Sequence, residues 1–469
     1  MTKPANGGLV LLKDSKEVLK MKKLCTILSA VILLFAVLPA NSADLLGAEK
    51  KMQNVDYWLK NIKNADEQIM TRRQIKKINA GIREAKGTYC LRLLEYPDTV
   101  SGERVKGIIS PEKHLCKNNY VNGLPVTNEF MDALIEESNL AAVQDTVEVR
   151  YAFAADNTVV RAEPTHIGSF SSPDDELFDR YVVSLIKIWE PLLVLHTSKS
   201  GVWSYIIAAN CNGWVRTEDL TFTDKKNFKK YSKKPFLLVT GAKIYPRSGL
   251  KGKRWEFQMG TRLPLAKKHN TIVESVGSYS SYVVLLPAKD QNGNLVEKEL
   301  LIPRSADVHV GFLPYTQKNI IKSAFKLLGE PYGWGSSFVQ WDCSGLVHDV
   351  YSLFGFELPR NSGAQVRIPA EFYDAKIMND EEKTELLAQL PAGTMIQMPG
   401  HIMLYLGTAN GKPYVLHDTY SAHKHEEETE DGALGKEILI NCVVVSDMEL
   451  CRANGKKIIT CIEKIVAVR

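Results

Sequence analysis

The sequence predicts an α+β protein in which two small β-barrels precede a C-terminal domain that sets a helical layer against an antiparallel sheet. Three observations lead there. Residues 166–235 and 236–313 are runs of short apolar or alternating segments broken by turn residues, as in small barrels. After residue 314, two amphipathic helical patterns give way to five strand candidates. At 469 residues, 45% apolar and 24% charged, the chain also exceeds a single hydrophobic core.

Taken in order, residues 1–43 are expected to be a leader. "MKKLCTILSAVILLFAVLPANSA" has two lysines, an apolar stretch from Leu24 to Leu38 and then small residues, the pattern of a signal peptide starting at Met21. It is too short to read as a membrane span, so the mature chain is expected to be exported, to a periplasm or beyond, without one. Removing it takes away six Lys/Arg and two Asp/Glu, leaving 53 and 52 and a net charge of +1. That balance argues against a nucleic-acid partner, which needs clustered basic excess. Residues 44–165 read as mixed helix and loop. Ile75, Ile78 and Ile82 fall at helical spacing behind Thr71 as N-cap, and short strands then run into a connector. In 166–235, "EPLLVLHTS", "GVWSYIIAA" and "GWVRTEDL" are strands separated by "SKSG" and "NCNG" turns, with Trp203 and Trp214 as core. The lysine-rich "TDKKNFKKYSKKP" reads as a solvated linker to the second barrel, 236–313.

The domain from 314 to 469 carries the chemistry. "TQKNIIKSAFKLLGEPYGWG" is an amphipathic helix ending near Gly329. A second helix begins at Cys343 in "WDCSGLVHDVY", with Leu346, Val347, Val350, Tyr351 and Phe354 on one face. A cysteine with polar flanks at a helix start gains from the unpaired amides and dipole there, which favour a thiolate. Such a nucleophile needs a base and a group to orient it. His401 opens the strand "HIMLYLG" and His417 ends "YVLH". Reflection about Ala409 sets them side by side, whereas a two-residue turn at Asn410–Gly411 shifts the register; the sequence leaves both open. His348, five residues past Cys343, points away from the thiol. His423 and His425 read as a solvated loop rather than a metal cluster, and no metal or cofactor is expected. Of eight cysteines, Cys25 leaves with the leader. Seven in an exported chain leave at least one thiol unpaired; Cys90 with Cys116, or two of Cys442, Cys451 and Cys461, are the open pairings.

"GEPYGWG", "DCSGLVHDVYSLFGFELPRNSGAQ", "LPAGTMIQMPGHIMLYLG" and "YVLHD" together resemble the NlpC-type cell-wall cysteine peptidases. The segment from Phe178 to Val215 resembles the first bacterial SH3-like domain of their multi-domain subgroup, and "RAEPTH" and "VSGERVKGIIS" its N-terminal segment. The resemblance implies a papain-like domain that hydrolyses the γ-D-glutamyl bond to a diamino acid in peptidoglycan stem peptides or muropeptides. It implies Cys343 as nucleophile, His401 as base and His417 as the orienting member. Tyr332 and Trp334 match aromatics of the substrate groove, Asp342 and Ser344 the flanks of the nucleophile, and Arg360, Asn361 and Ser362 the stretch that shapes the acyl pocket. Relatives that require a free N-terminal amine carry aspartate where this chain has Asn361, which puts that requirement in doubt. The rival readings are a wall-binding protein whose barrels do the work, and a thiol amidase or acyltransferase on another substrate.

Overall fold

The computed structural model describes residues 46–110, 118–423 and 437–469. The expected leader, Cys116 and His425 lie outside them. The first barrel is a seven-stranded antiparallel sheet of β1 (Arg150–Ala154), β2 (Thr158–Arg161), β3 (Val182–Ile186), β4 (Pro191–Thr197), β5 (Trp203–Ile207), β6 (Asn212–Arg216) and β7 (Leu220–Thr223), in the order β7-β1-β4-β5-β6-β2-β3. The sheet thus reaches back beyond residue 166. The short strands expected there are present but do not stand outside the barrel; they join its sheet, because Tyr151 and Phe153 alternate into a core shared with Leu193, Tyr205 and Trp214. The lysine-rich segment is not a solvated linker either. It forms a helix, Lys225–Ser232, capped by Asp224, and Phe228 is fully buried between Tyr151 and Phe153.

The second run is less regular. β8 (Phe236–Val239), β9 (Arg262–Pro264) and β12 (Val308–Val310) form one sheet in the order β9-β8-β12, and β10 (Ser281–Lys289) with β11 (Leu295–Pro303) forms a long hairpin. A bridge from Leu265 to Val284 links the two.

The C-terminal domain packs α2 (Gln317–Phe325) and α3 (Cys343–Ser352) on a six-stranded antiparallel sheet. Its strands are β13 (Glu371–Asp374), β14 (Met395–Met398), β15 (His401–Ala409), β16 (Lys412–His423), β17 (Glu437–Asp447) and β18 (Lys464–Ala467), ordered β13-β18-β14-β15-β16-β17. Leu346, Val347 and Val350 of α3 share a core with Ile402, Leu404, Leu416, Val443 and Val445, so alternate residues of β15, β16 and β17 face the helix.

The N-terminal segment divides its grip. α1 (Arg72–Glu84) starts at a capping box of Thr71 and Gln74 and buries Ile75 and Ile82 in the C-terminal core. Arg72 donates to the carbonyls of Phe354 and Leu313, and Asn79 bonds Gly355 and Glu357 at 2.9 and 3.1 Å. Residues Leu93, Val105 and Ile109 instead join the first barrel's core. Beneath the site a buried lysine ties three parts together: Lys187 of the first barrel donates to the Met259 carbonyl of the second and to Asp349 of α3, both at 2.6 Å. Burial alone would raise the Asp349 carboxyl, but Lys187 and His348 outweigh it and hold it down at about 2. His348 does point away from the thiol, and its Nε2 lies 3.0 Å from Asn210 of the barrel.

Candidate active site

Cys343 is the first residue of α3, whose N-cap is Asp342. The Asp342 carboxylate accepts from the Gly345 amide at 2.6 Å, the Ser344 hydroxyl at 3.1 Å and the Gly335 amide at 3.1 Å. Arg360 grips the same carboxylate with both terminal nitrogens, at 3.1 and 2.8 Å, and donates to Ser344 Oγ at 2.8 Å. Its Nε donates to Ser184 Oγ at 3.0 Å, on β3 of the first barrel. Asp342, Ser344 and Arg360, which the resemblance places at the substrate pocket, are buried and bonded to one another. Burial would raise Asp342, yet the Arg360 guanidinium and these donors hold it below the ordinary carboxylate range. Asn361 is exposed and Ser362 half-buried, at the start of a one-turn helix, Ser362–Gln365.

The thiol does not rest as a thiolate. Burial first, and the neighbouring Asp342 charge second, push Cys343 up to about 12, against the lowering effect of the Ile402 amide and Arg360. The helix start favours the anion, but with the thiol almost fully buried desolvation wins. Burial likewise lowers His401 to about 4 and His417 well below its ordinary value. The resting site is a neutral thiol beside neutral imidazoles.

The histidines meet by a route the sequence left open. Asn410 and Gly411, both at positive φ, make the two-residue turn, which pairs Ala409 with Lys412. Continued unbroken, that register would put His401 and His417 on opposite faces. A bulge between Tyr405 and Gly407 inserts one residue and restores the parity, so that Leu404 pairs with Leu416. His401 and His417 then lie diagonally on one face, with His401 Nε2 2.8 Å from His417 Nδ1. His417 Nε2 continues to Ser446 Oγ on β17 at 3.0 Å. Ser446, fully buried, is a member that the sequence reading missed, since in "CVVVSDM" it looks like the end of an apolar strand. The amide of Ile402, one residue beyond His401, lies near enough to the Cys343 sulfur to favour its anion. No imidazole hydrogen-bonds that sulfur among the described residues.

An aromatic cluster lies beside the thiol. Phe178, from the β2–β3 loop of the first barrel, packs 6.0 Å from Tyr332, 5.6 Å from Trp334 and 5.0 Å from Tyr420 of β16, and Arg180 lies over Trp334. Tyr332 and Trp334 are both half-buried there. Phe178, Arg180 and Tyr420 escaped sequence reading because loop and strand meet only in the tertiary fold. A separate cavity of about 500 Å³ lies on the barrel side of Ser337 and Phe338, lined by Arg161, His166, Trp203 and Arg216. The six described cysteines are free thiols, Cys90, Cys442, Cys451 and Cys461 included.

Comparison with known proteins locates these features. Residues 329–439 match the NlpC/P60 family and residues 169–216 the SH3 domain of the SH3b1 type. A γ-D-glutamyl-L-lysine dipeptidyl-peptidase of Bacillus cereus is 32% identical over 164 residues, 33% of this chain and 43% of that protein. The protein of that name from Bacillus subtilis is 25% identical over 136 residues, 25% of this chain and 46% of the relative. The chain thus spans less than half the length of these curated relatives. The solved structure of an NlpC/P60 endopeptidase from Photobacterium damselae subsp. piscicida superposes with a TM-score of 0.69 at 18% identity, covering 87% of this chain and 96% of that one. The fold is therefore an SH3b-type barrel ahead of a C-terminal NlpC/P60 domain.

Proposed function

We infer that this chain is a cysteine peptidase that hydrolyses the γ-D-glutamyl bond to the diamino acid of peptidoglycan stem peptides, using Cys343 as nucleophile. The observation that carries the reading is the chain of hydrogen bonds from His401 through His417 to Ser446, on strands that pack against the helix opening at Cys343. For His401 to serve as base, its Nε2–H donates to His417 Nδ1, and His417 Nε2–H donates to Ser446 Oγ. That tautomer leaves His401 Nδ1 bare and able to take the thiol proton.

The sulfur then attacks the γ-carbonyl carbon, and the carbonyl π electrons move to oxygen. The Cys343 and Ser344 amides at the start of α3, which have no intrahelical acceptor, stabilise that oxyanion. Protonated His401 returns the proton to the leaving amine as the C–N bond breaks, giving a thioester. Water, deprotonated by His401, resolves it to the free carboxyl group and the thiol. Because thiol and imidazoles rest neutral, the thiol proton is transferred within the attack rather than before it. Phe178, reaching in from the barrel, joins the aromatic side chains beside the thiol, a surface suited to short peptides. Among the described residues no helix is long and apolar enough to cross a membrane. The leader motif supports an exported enzyme acting at the wall.

The test incubates the purified protein, and its Cys343→Ala form, with L-Ala-γ-D-Glu-L-Lys, its diaminopimelate analogue and intact muropeptides, and locates cuts by mass spectrometry. Release of L-Ala-D-Glu by the wild type alone is expected. A folded protein with reduced Cys343 that cuts none of them, or cuts elsewhere, overturns the reading.

A further inference from the structure

One buried group beside the thiol has no role in this chemistry. Asp418 follows His417 on β16 and so faces the other way, toward α3. On that face it lies between Leu416, in the core under α3, and Tyr420, which packs on Phe178. It is fully buried, and among the described residues neither carboxyl oxygen has a hydrogen-bond partner. An orphaned buried carboxyl costs stability, and its persistence beside a thiol calls for a partner that arrives from outside.

The surroundings specify that partner's charge. Burial first, then the charges of Asp342 and Glu330, raise Asp418 to about 9, with no cation contributing. Those two acids are already paired, Asp342 with Arg360 and Glu330 with Lys243. Among the described residues the other titratable groups near Asp418 are Cys343, Tyr332 and Cys442, all neutral when protonated. Tyr332, Trp334, Phe178 and Tyr420 add aromatic surface on the same side. A carboxyl lacking a cation, beside aromatic rings, makes a site for a primary ammonium.

We propose that Asp418 is a specificity residue that receives a primary ammonium of the peptide substrate, either the N-terminal α-amine or the side-chain amine of the diamino acid. This rests on the peptide-substrate reading above, and it supplies the carboxylate that Asn361 lacks. As the ammonium docks, Asp418 gives its proton to solvent and becomes the counter-ion, so binding near neutral pH releases close to one proton.

The experiment titrates full-length Cys343→Ala, with and without Asp418→Asn, with L-Ala-γ-D-Glu-L-Lys, its Nα-acetyl form and its Nε-acetyl form. Calorimetry is run in two buffers of different ionisation enthalpy. One acetylation is expected to weaken binding to Cys343→Ala by about tenfold or more and to abolish proton release, which identifies the amine that Asp418 receives. Asp418→Asn should bring that ratio to about one. Equal binding of all three peptides, or discrimination that survives Asp418→Asn, overturns the proposal. So does failure of Cys343→Ala to bind any peptide. Should Asp418→Asn not fold, Asp418→Glu replaces it, expected to keep proton release with an altered ratio; an unchanged ratio without proton release counts against the proposal. Wild type that cuts none of the peptides, while Cys343→Ala binds them in an Asp418-dependent way, would remove the peptidase reading and leave this one.

Discussion

Asp342 and Asp418 are two buried carboxyls close to the same thiol, and they differ in almost everything except burial. Asp342 has a guanidinium, two amides and a hydroxyl around it and is held ionised. Asp418 has none of these and is raised to about 9. Burial pushes both upward, so the bonded partners decide the charge. The first carboxylate fixes the helix start that carries Cys343. The second stays uncommitted, as a recognition group must until its ligand arrives.

The largest effect expected from breaking this contrast is loss of hydrolysis. Cys343→Ala should reduce turnover by at least about 10⁴-fold while leaving the unfolding transition in place, read by mass spectrometry and urea melts. Next comes Arg360→Met, which strips Asp342 of its buried partner and should cost about 3–5 kcal/mol in urea unfolding. Adding Asp342→Asn should recover part of that loss, whereas an additive double mutant would mean that the pair is not coupled. Ser446→Ala removes the acceptor that sets the histidine tautomers. It should lower kcat by about tenfold with little change in KM, and a change confined to KM would contradict the positioning role.

The smallest effect is in the pH dependence of stability, and its sign differs for the two acids. Asp342, lowered in the fold, contributes stability present above the ordinary carboxyl pKa of about 4 and lost as pH falls through its folded value. Asp418, raised to about 9, keeps a proton that the unfolded chain has shed above about 4. Its contribution is complete below about 4 and is lost as pH climbs toward 9. Asp418→Asn should therefore flatten the decline on the alkaline side and leave the acid limb alone. Urea unfolding from pH 4 to 9 reads both limbs.

Much of this site was legible in the sequence. The helix after Asp342, the strands opening at His401 and ending past His417, and the Trp203 and Trp214 core follow from local periodicity and turn residues. The approach of the histidines was not. It depends on a two-residue turn whose parity error is cancelled by a bulge at Leu406, and a bulge is settled by packing across the sheet. Desolvation of Cys343 was equally out of reach, since the helix start is local but burial is tertiary. Asp418 passed unremarked for the same reason: its meaning lies in partners it does not have, and a sequence shows no distances.

The most direct measurement traps the covalent intermediate. Wild-type protein is mixed with L-Ala-γ-D-Glu-L-Lys, quenched in acid within the first turnover and digested, and the adduct is mapped by mass spectrometry. An L-Ala-γ-D-glutamyl thioester on Cys343, absent from Cys343→Ala, is the predicted result. An adduct on another residue, or product formed at an undiminished rate by Cys343→Ala, would contradict the account.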